Sequence, residues 1–142
     1  MKVGIAGMGA IGLRVAQELD QGGIPGCQLA GICARTEDRA AEANSHLSTP
    51  APVYTLDTIT EHCDIVVETL PPQMFEDLAR PTIEAGKTLV VLSASQLLGQ
   101  QALIDRAAET GATIAIPTGA ILGLDAIKAV AEGQGTSVVI ET

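Results

Sequence analysis

The sequence predicts an α/β fold, a doubly wound parallel sheet with helices on both faces. Three observations predict it. Short, unbroken apolar runs alternate along the whole chain with stretches that carry apolar residues at helical spacing. The runs lack polar residues at every second position, as strands covered on both faces require. Glycine or proline stands at most junctions between the two kinds of segment, where a chain must stop and turn.

The elements follow in order. Lys2–Ala6 is a buried strand that runs into glycines. Ala10–Asp20 is an amphipathic helix with Ile11, Val15 and Leu19 as its apolar stripe, ended by Gly22-Gly23 and Pro25-Gly26. Residues 28–34 form a second strand. Residues 36–44 form a helix with Thr36 as N-cap and Glu37 and Asp38 in the first turn, where the helix dipole favours acids. Residues 50–52 are a loop, 53–55 a short strand and 56–62 one or two helical turns. Residues 64–70 are the third long strand, stopped by Pro71-Pro72. A helix over 74–85 closes at Gly86, a strand follows at 88–93, a helix over 100–110 closes at Gly111, and a strand over 112–116 stops at Pro117. A further strand is expected at 136–140.

With 142 residues the chain is long enough for one ordinary domain and too short for two. One Tyr, one Phe and no Trp make the core aliphatic and exclude stacking on rows of aromatics as a way of binding. Eight basic against seventeen acidic residues give a net charge of −9, so neither nucleic acid nor an anionic membrane is attracted in general. An anion must be held locally, by backbone N–H groups or a placed arginine. Cys27, Cys33 and Cys63 are odd in number and lack C-x-x-C spacing. They read as free thiols of a reducing, cytoplasmic compartment, neither a disulfide framework nor a zinc site. Glycines and Arg14 break the apolar start, and Ser, Gln and Gly break the uncharged run 88–104, so neither a signal peptide nor a membrane span is expected.

Gly7-Met8-Gly9-Ala10-Ile11-Gly12 completes G-x-G-x-x-G between a strand and a helix, the context that gives the string its meaning. Gly7 permits the tight turn, Gly9 lets a pyrophosphate approach the backbone, and Gly12 lets helix and strand pack closely. The N–H groups at the helix start, around Ala10 and Ile11, then face the phosphates of a dinucleotide. This is the binding turn of a Rossmann-type fold.

The end of the second strand chooses between dinucleotides. An acid there would bond the adenosine ribose of NAD. The sequence has Arg35-Thr36 instead, and a guanidinium suits the 2′-phosphate of NADP or stacks on adenine. NADP is therefore preferred, with NAD use left open by Glu37 and Asp38. The remaining strand ends that face a ligand in such sheets are Leu70-Pro71, Ser93-Ala94 and Gly119-Ala120. Glu68 either points at the crevice or is paired structurally. His46 and His62 lie away from the cofactor side. No acid/base pair, metal constellation or nucleophile elbow is present.

The segment Pro117-Thr118-Gly119-Ala120-Ile121-Leu122-Gly123-Leu124-Asp125-Ala126-Ile127-Lys128 resembles a motif of the L-aspartate dehydrogenases, which belong with homoserine-dehydrogenase-like oxidoreductases. The opening glycine turn, Asp64-Ile65-Val66-Val67-Glu68 and the stretch from Gly86-Lys87 to Ser93 are similar too. The resemblance implies an NAD(P)-dependent oxidation of L-aspartate to oxaloacetate and ammonia, with Ala120 near the nicotinamide and Asp125 and Lys128 on the following helix. It also implies a cofactor domain over 1–130. Residues 131–142 would begin a second domain carrying the catalytic histidine, so no catalytic residue is expected in this chain and the chain alone should be inactive. The implied partners are the dinucleotide and a small amino acid, with a homodimer as candidate assembly. A homoserine-dehydrogenase-like domain, a Gfo/Idh-type domain and a non-catalytic dinucleotide-sensing module are the alternatives. The Gfo/Idh reading lacks its Glu-Lys-Pro, for which Ser93-Ala94-Ser95 stands here.

Overall fold

The computed structural model describes residues 1–117. The expected strand at 136–140, the motif from Thr118 to Lys128 and the domain boundary near 130 lie outside the described residues. Among the described residues five parallel strands, β1 (Lys2–Ala6), β2 (Gln28–Cys33), β3 (Ile65–Glu68), β4 (Thr88–Val91) and β5 (Thr113–Ala115), form one sheet in the order β2-β1-β3-β4-β5. The chain steps outward from β1 to β2, then returns to the other side of β1 for β3. That reversal opens a crevice at the carboxyl ends of β1 and β3, where ligands of such sheets bind.

The short strand expected at 53–55 is reduced to one parallel bridge, Ile32 to Val53. Ile32 N–H donates to Pro52 O and Tyr54 N–H to Ile32 O, both at 2.9 Å. With this bridge counted as a strand beside β2, the order is that of the dinucleotide-binding folds. β1 keeps its expected bounds, whereas β2 to β5 stop one or more residues short of their expected ends, because there the chain leaves the ladder to turn over the sheet edge.

Side chains alternate across the sheet and divide the core in two. Val3 and Ile5 of β1 and Val67 of β3 face α1 (Ala10–Asp20) and α2 (Glu37–Ser45). Ala6 and Val66 face the opposite layer, made by α3 (Phe75–Glu84), α4 (Gln101–Thr110) and the 3-10 turn Ile59–His62. Helices thus cover both faces, as the unbroken apolar strands require.

The buried stripe of α1 is Gly12, Ala16 and Leu19; Ile11 is 58% exposed and Val15 only half-buried. Leu19 is buried as expected, but Gly12 and Ala16 take the places expected of Ile11 and Val15, because small residues, by letting the helix approach the strands, displace larger ones from the contact. Thr36 caps α2 by accepting from Arg39 N–H at 3.3 Å, with Glu37 and Asp38 in the first turn. Gly86 and Gly111 close α3 and α4 in the left-handed region, with φ +66° and +74°. The 56–62 segment is a 3-10 turn only, and another, Pro72–Met74, precedes α3.

Candidate functional site

The loop from β1 to α1 is built by three glycines with three different constraints. Gly7 has φ +101°, and a Cβ there would overlap the backbone carbonyl of Thr69. A Cβ at Gly12 would overlap the carbonyl of Gly7. Gly9 differs: its φ of −82° and ψ of −167° suit any residue, and a Cβ would meet nothing within 4 Å. Nothing inside the described chain requires glycine there. The space its missing side chain leaves open faces the cleft, so the constraint that fits is close approach by a ligand.

α1 starts without a cap. Gly9 offers no side chain, and its first turn carries no acid, whereas α2 and α3 each have two. Leu13 N–H donates to Gly9 O at 2.9 Å, but the N–H groups of residues 9–12 find no acceptor among the described residues. Unpaired amides and the positive end of the helix dipole converge on one point, an arrangement able to take an anion.

Thr69, just past β3, holds this turn in place. Its N–H donates to Ala6 O at 2.9 Å, and its Oγ1 lies 2.6 Å from Gly7 O and 3.0 Å from Ala6 O, sharing one proton between them. Gly7 N–H donates to Cys33 O at 2.9 Å. The ends of β1, β2 and β3 are thereby tied together under the turn.

A cleft of about 880 Å³ opens above these strand ends. Of the residues expected at the site, Gly7, Gly9, Arg35, Thr36, Leu70 and Pro71 line it. Gly12 is buried beneath the turn, and Ala10 and Ile11 are exposed at the helix start. Ser93 and Ala94 are half-buried and set back from this cleft. Gly119 and Ala120 lie outside the described residues. Arg35 makes no salt bridge among the described residues, while Arg39, on the same rim, pairs with Glu42 at 2.9 Å.

Sequence reasoning missed the far wall, made by Tyr54, Thr55, Leu56 and Thr58. Tyr54 lies against Gly31, where a Cβ would overlap its ring, and stacks on His62 with ring centroids 4.2 Å apart. The only available signal was the lone tyrosine following a short apolar stretch. Cys33 also lines the cleft, and burial pushes its thiol pKa up, away from the thiolate a nucleophile needs. Among the described residues no group of three or more His, Cys, Asp or Glu side chains could hold a metal. Nor is any helix there long and apolar enough to cross a membrane.

Glu68 is paired structurally. It is fully buried, accepting from Leu70 N–H at 2.8 Å, Ser93 N–H at 2.9 Å and Ser93 Oγ at 3.1 Å. Ser93 therefore braces β4 against β3 below the surface.

Comparison with known proteins agrees with this geometry. Residues 7–117 match the family described as homoserine dehydrogenase, NAD binding domain. The chain is 39% identical over 136 residues to L-aspartate dehydrogenase 3 of Bordetella bronchiseptica, an alignment covering 96% of this chain and 50% of that protein. It is 35% identical over 145 residues to the L-aspartate dehydrogenase of Methanothermobacter thermautotrophicus, covering 100% of this chain and 56% of the relative. The chain thus spans about half the length of the curated relatives it matches. Among solved structures, UDP-N-acetylglucosamine 3-dehydrogenase GnnA of Acidithiobacillus ferrooxidans superposes with a TM-score of 0.69 at 26% identity, over 82% of this chain and 37% of that one. Synechocystis biliverdin reductase, solved with biliverdin and NADP+, reaches a TM-score of 0.71 at 21% identity over 92% and 42%, a likeness of fold alone.

Proposed function

The chain belongs to the family of homoserine dehydrogenase NAD-binding domains, and from that premise we propose that it holds NADP, or NAD less tightly, for the oxidation of L-aspartate. The observation that carries the binding reading is Gly9, a glycine without internal cause beside uncapped amides on an open cleft. The amides of residues 9–12 take the pyrophosphate, with Gly7 and Gly12 shaping the turn. Arg35 and Thr36 take the adenosine ribose, and the guanidinium of Arg35, without a salt bridge among the described residues, supports NADP over NAD. Leu70, Pro71, Ser93 and Ala94 form the nicotinamide side, joined by Gly119 and Ala120. The relatives named above supply the substrate class.

A bound nicotinamide would supply the acceptor for the α-carbon hydride; loss of a proton from the amine would leave an imine of the amino acid, which water would hydrolyse to oxaloacetate and ammonia. This chain's residues bind and orient the dinucleotide. The proton transfers belong to residues of a second domain that we place after residue 130, so the 142-residue chain alone should bind without turnover. Titration calorimetry with NADP+ and NAD+ tests the binding reading, and heat-silent mixing with both refutes it. Aspartate-dependent reduction of NADP+ by a protein of the relatives' full length tests the substrate reading.

A further inference from the structure

Glu68 is the one Asp, Glu, Lys or Arg side chain buried among the described residues, with 0% exposure. None of the salt bridges among those residues reaches it. Its three hydrogen bonds come from donors only, two N–H groups and a hydroxyl, as a carboxylate demands. Burying a charge without a countercharge is costly. One oxygen takes the Leu70 N–H and the other the Ser93 N–H, so the bridging itself calls for two acceptors, which a carboxylate supplies and an amide does not.

Its position gives the charge a reach beyond those bonds. Glu68 pairs in register with Ala6 of β1 and Val91 of β4, one residue below the glycine turn. The donors Leu70 and Ser93 begin the loops that follow β3 and β4. On the dinucleotide reading, on which this inference rests, the adenosine lies toward β2 and Arg35, and the pyrophosphate over Gly9. The nicotinamide end then falls over β3 and β4, above Glu68. That ring carries a positive charge when oxidised and none after it has taken a hydride.

We propose that the buried Glu68 carboxylate sets the redox preference of the site by holding the oxidised, cationic dinucleotide more tightly relative to the reduced one. A fixed negative charge beneath the ring stabilises the cation and leaves the neutral form untouched, which biases the bound couple toward oxidised cofactor. Glu68 acts here through space as a positioning residue, not as a proton carrier.

The test compares affinities of the 142-residue chain for NADP+, NADPH and 2′-phospho-ADP-ribose, which lacks the nicotinamide. Wild-type protein should favour NADP+ over NADPH, a comparison that needs no variant to fold. Glu68→Gln should reduce that preference by about tenfold, as expected for one unit charge at close range in a partly shielded site, while its affinity for 2′-phospho-ADP-ribose changes less than about twofold. Glu84→Gln, which removes an exposed carboxylate of α3 that does not line the cleft, should leave the preference unchanged. Tighter NADPH than NADP+ in the wild type, an unchanged preference in Glu68→Gln, or an equal loss for all three ligands would overturn the proposal. If the wild type binds 2′-phospho-ADP-ribose but none of these shifts appears, the charge argument fails and the dinucleotide reading stands. If it binds none of the three, both fail.

Discussion

Replacing Gly9 by valine separates what the fold needs from what a ligand needs. At Gly9 the backbone is extended and a Cβ meets nothing within 4 Å, so neither the backbone nor the first side-chain carbon of valine is strained there. The only folding cost is a poorer helix N-cap, about 1 kcal/mol, which lowers the melting temperature by roughly 3–6 °C in a domain of this size. The same valine at Gly12 overlaps the Gly7 carbonyl and forces helix and strand apart. Overpacking of that kind costs about 3 kcal/mol or more. For binding the order reverses. The Gly9 side chain would displace phosphate from at least two amides, each charge-assisted bond being worth about 1.5–3 kcal/mol. The affinity of Gly9→Val for NADP+ should therefore drop by about a hundredfold or more. Circular-dichroism melts and calorimetry on the three proteins decide the matter. Gly9→Val binding as tightly as wild type, or melting as early as Gly12→Val, would refute the reasoning.

Three other outcomes are expected. Arg35→Ala should weaken NADP+ by about tenfold or more, through loss of a bond to a charged group, and NAD+ far less; equal losses in calorimetry would point to adenine stacking instead. Hydrogen bonds from the Ser48 and Lys2 amides and from the Arg106 guanidinium hold the Asp20, Asp64 and Glu84 carboxyls below their usual range. A lowered folded-state value gives stability that is present above the unfolded value and lost as pH falls through the folded one. Melting temperature should hold from neutral pH to about pH 5 and then fall, and an unchanged acid fall in the combined Asp20→Asn, Asp64→Asn, Glu84→Gln variant would contradict this. Burial pushes the Cys63 thiol up to about 11, so a thiol reagent at neutral pH should label half-buried Cys27 first and reach Cys33 and Cys63 only on unfolding; rapid labelling of all three would contradict it.

What the sequence made legible follows from where the information is local. The bounds of α1, the Thr36 cap and the Gly111 stop are decided within a few residues, and they agree with the structure. The glycine turn was readable because three glycines at fixed spacing between a strand and a helix have few other uses. The α1 stripe was misread because hydrophobicity ranks Ile11 above Gly12, whereas close packing selects the smaller residue. Tyr54, Thr55, Thr58 and Arg39 escaped notice because they reach the cleft through the bridge at Val53 and the fold of α2, contacts between segments far apart in sequence. Glu68 stayed ambiguous for the same reason, since Ser93, its main donor, is 25 residues away.

The central position of β1 has a consequence for the order in which the molecule assembles. β1, made before either of its partners, takes a neighbour on each side, Val3 beside Leu29 and again beside Ile65. The second neighbour arrives late: Lys2 and Asp64, which exchange hydrogen bonds of 2.8 Å at the foot of the sheet, are 62 residues apart. Until β3 emerges, the nascent chain carries an apolar strand with one edge unfilled, and closing that long loop slows completion of the sheet. Slower translation between β2 and β3 lengthens the life of that half-made sheet, and chaperone demand during synthesis should rise with it.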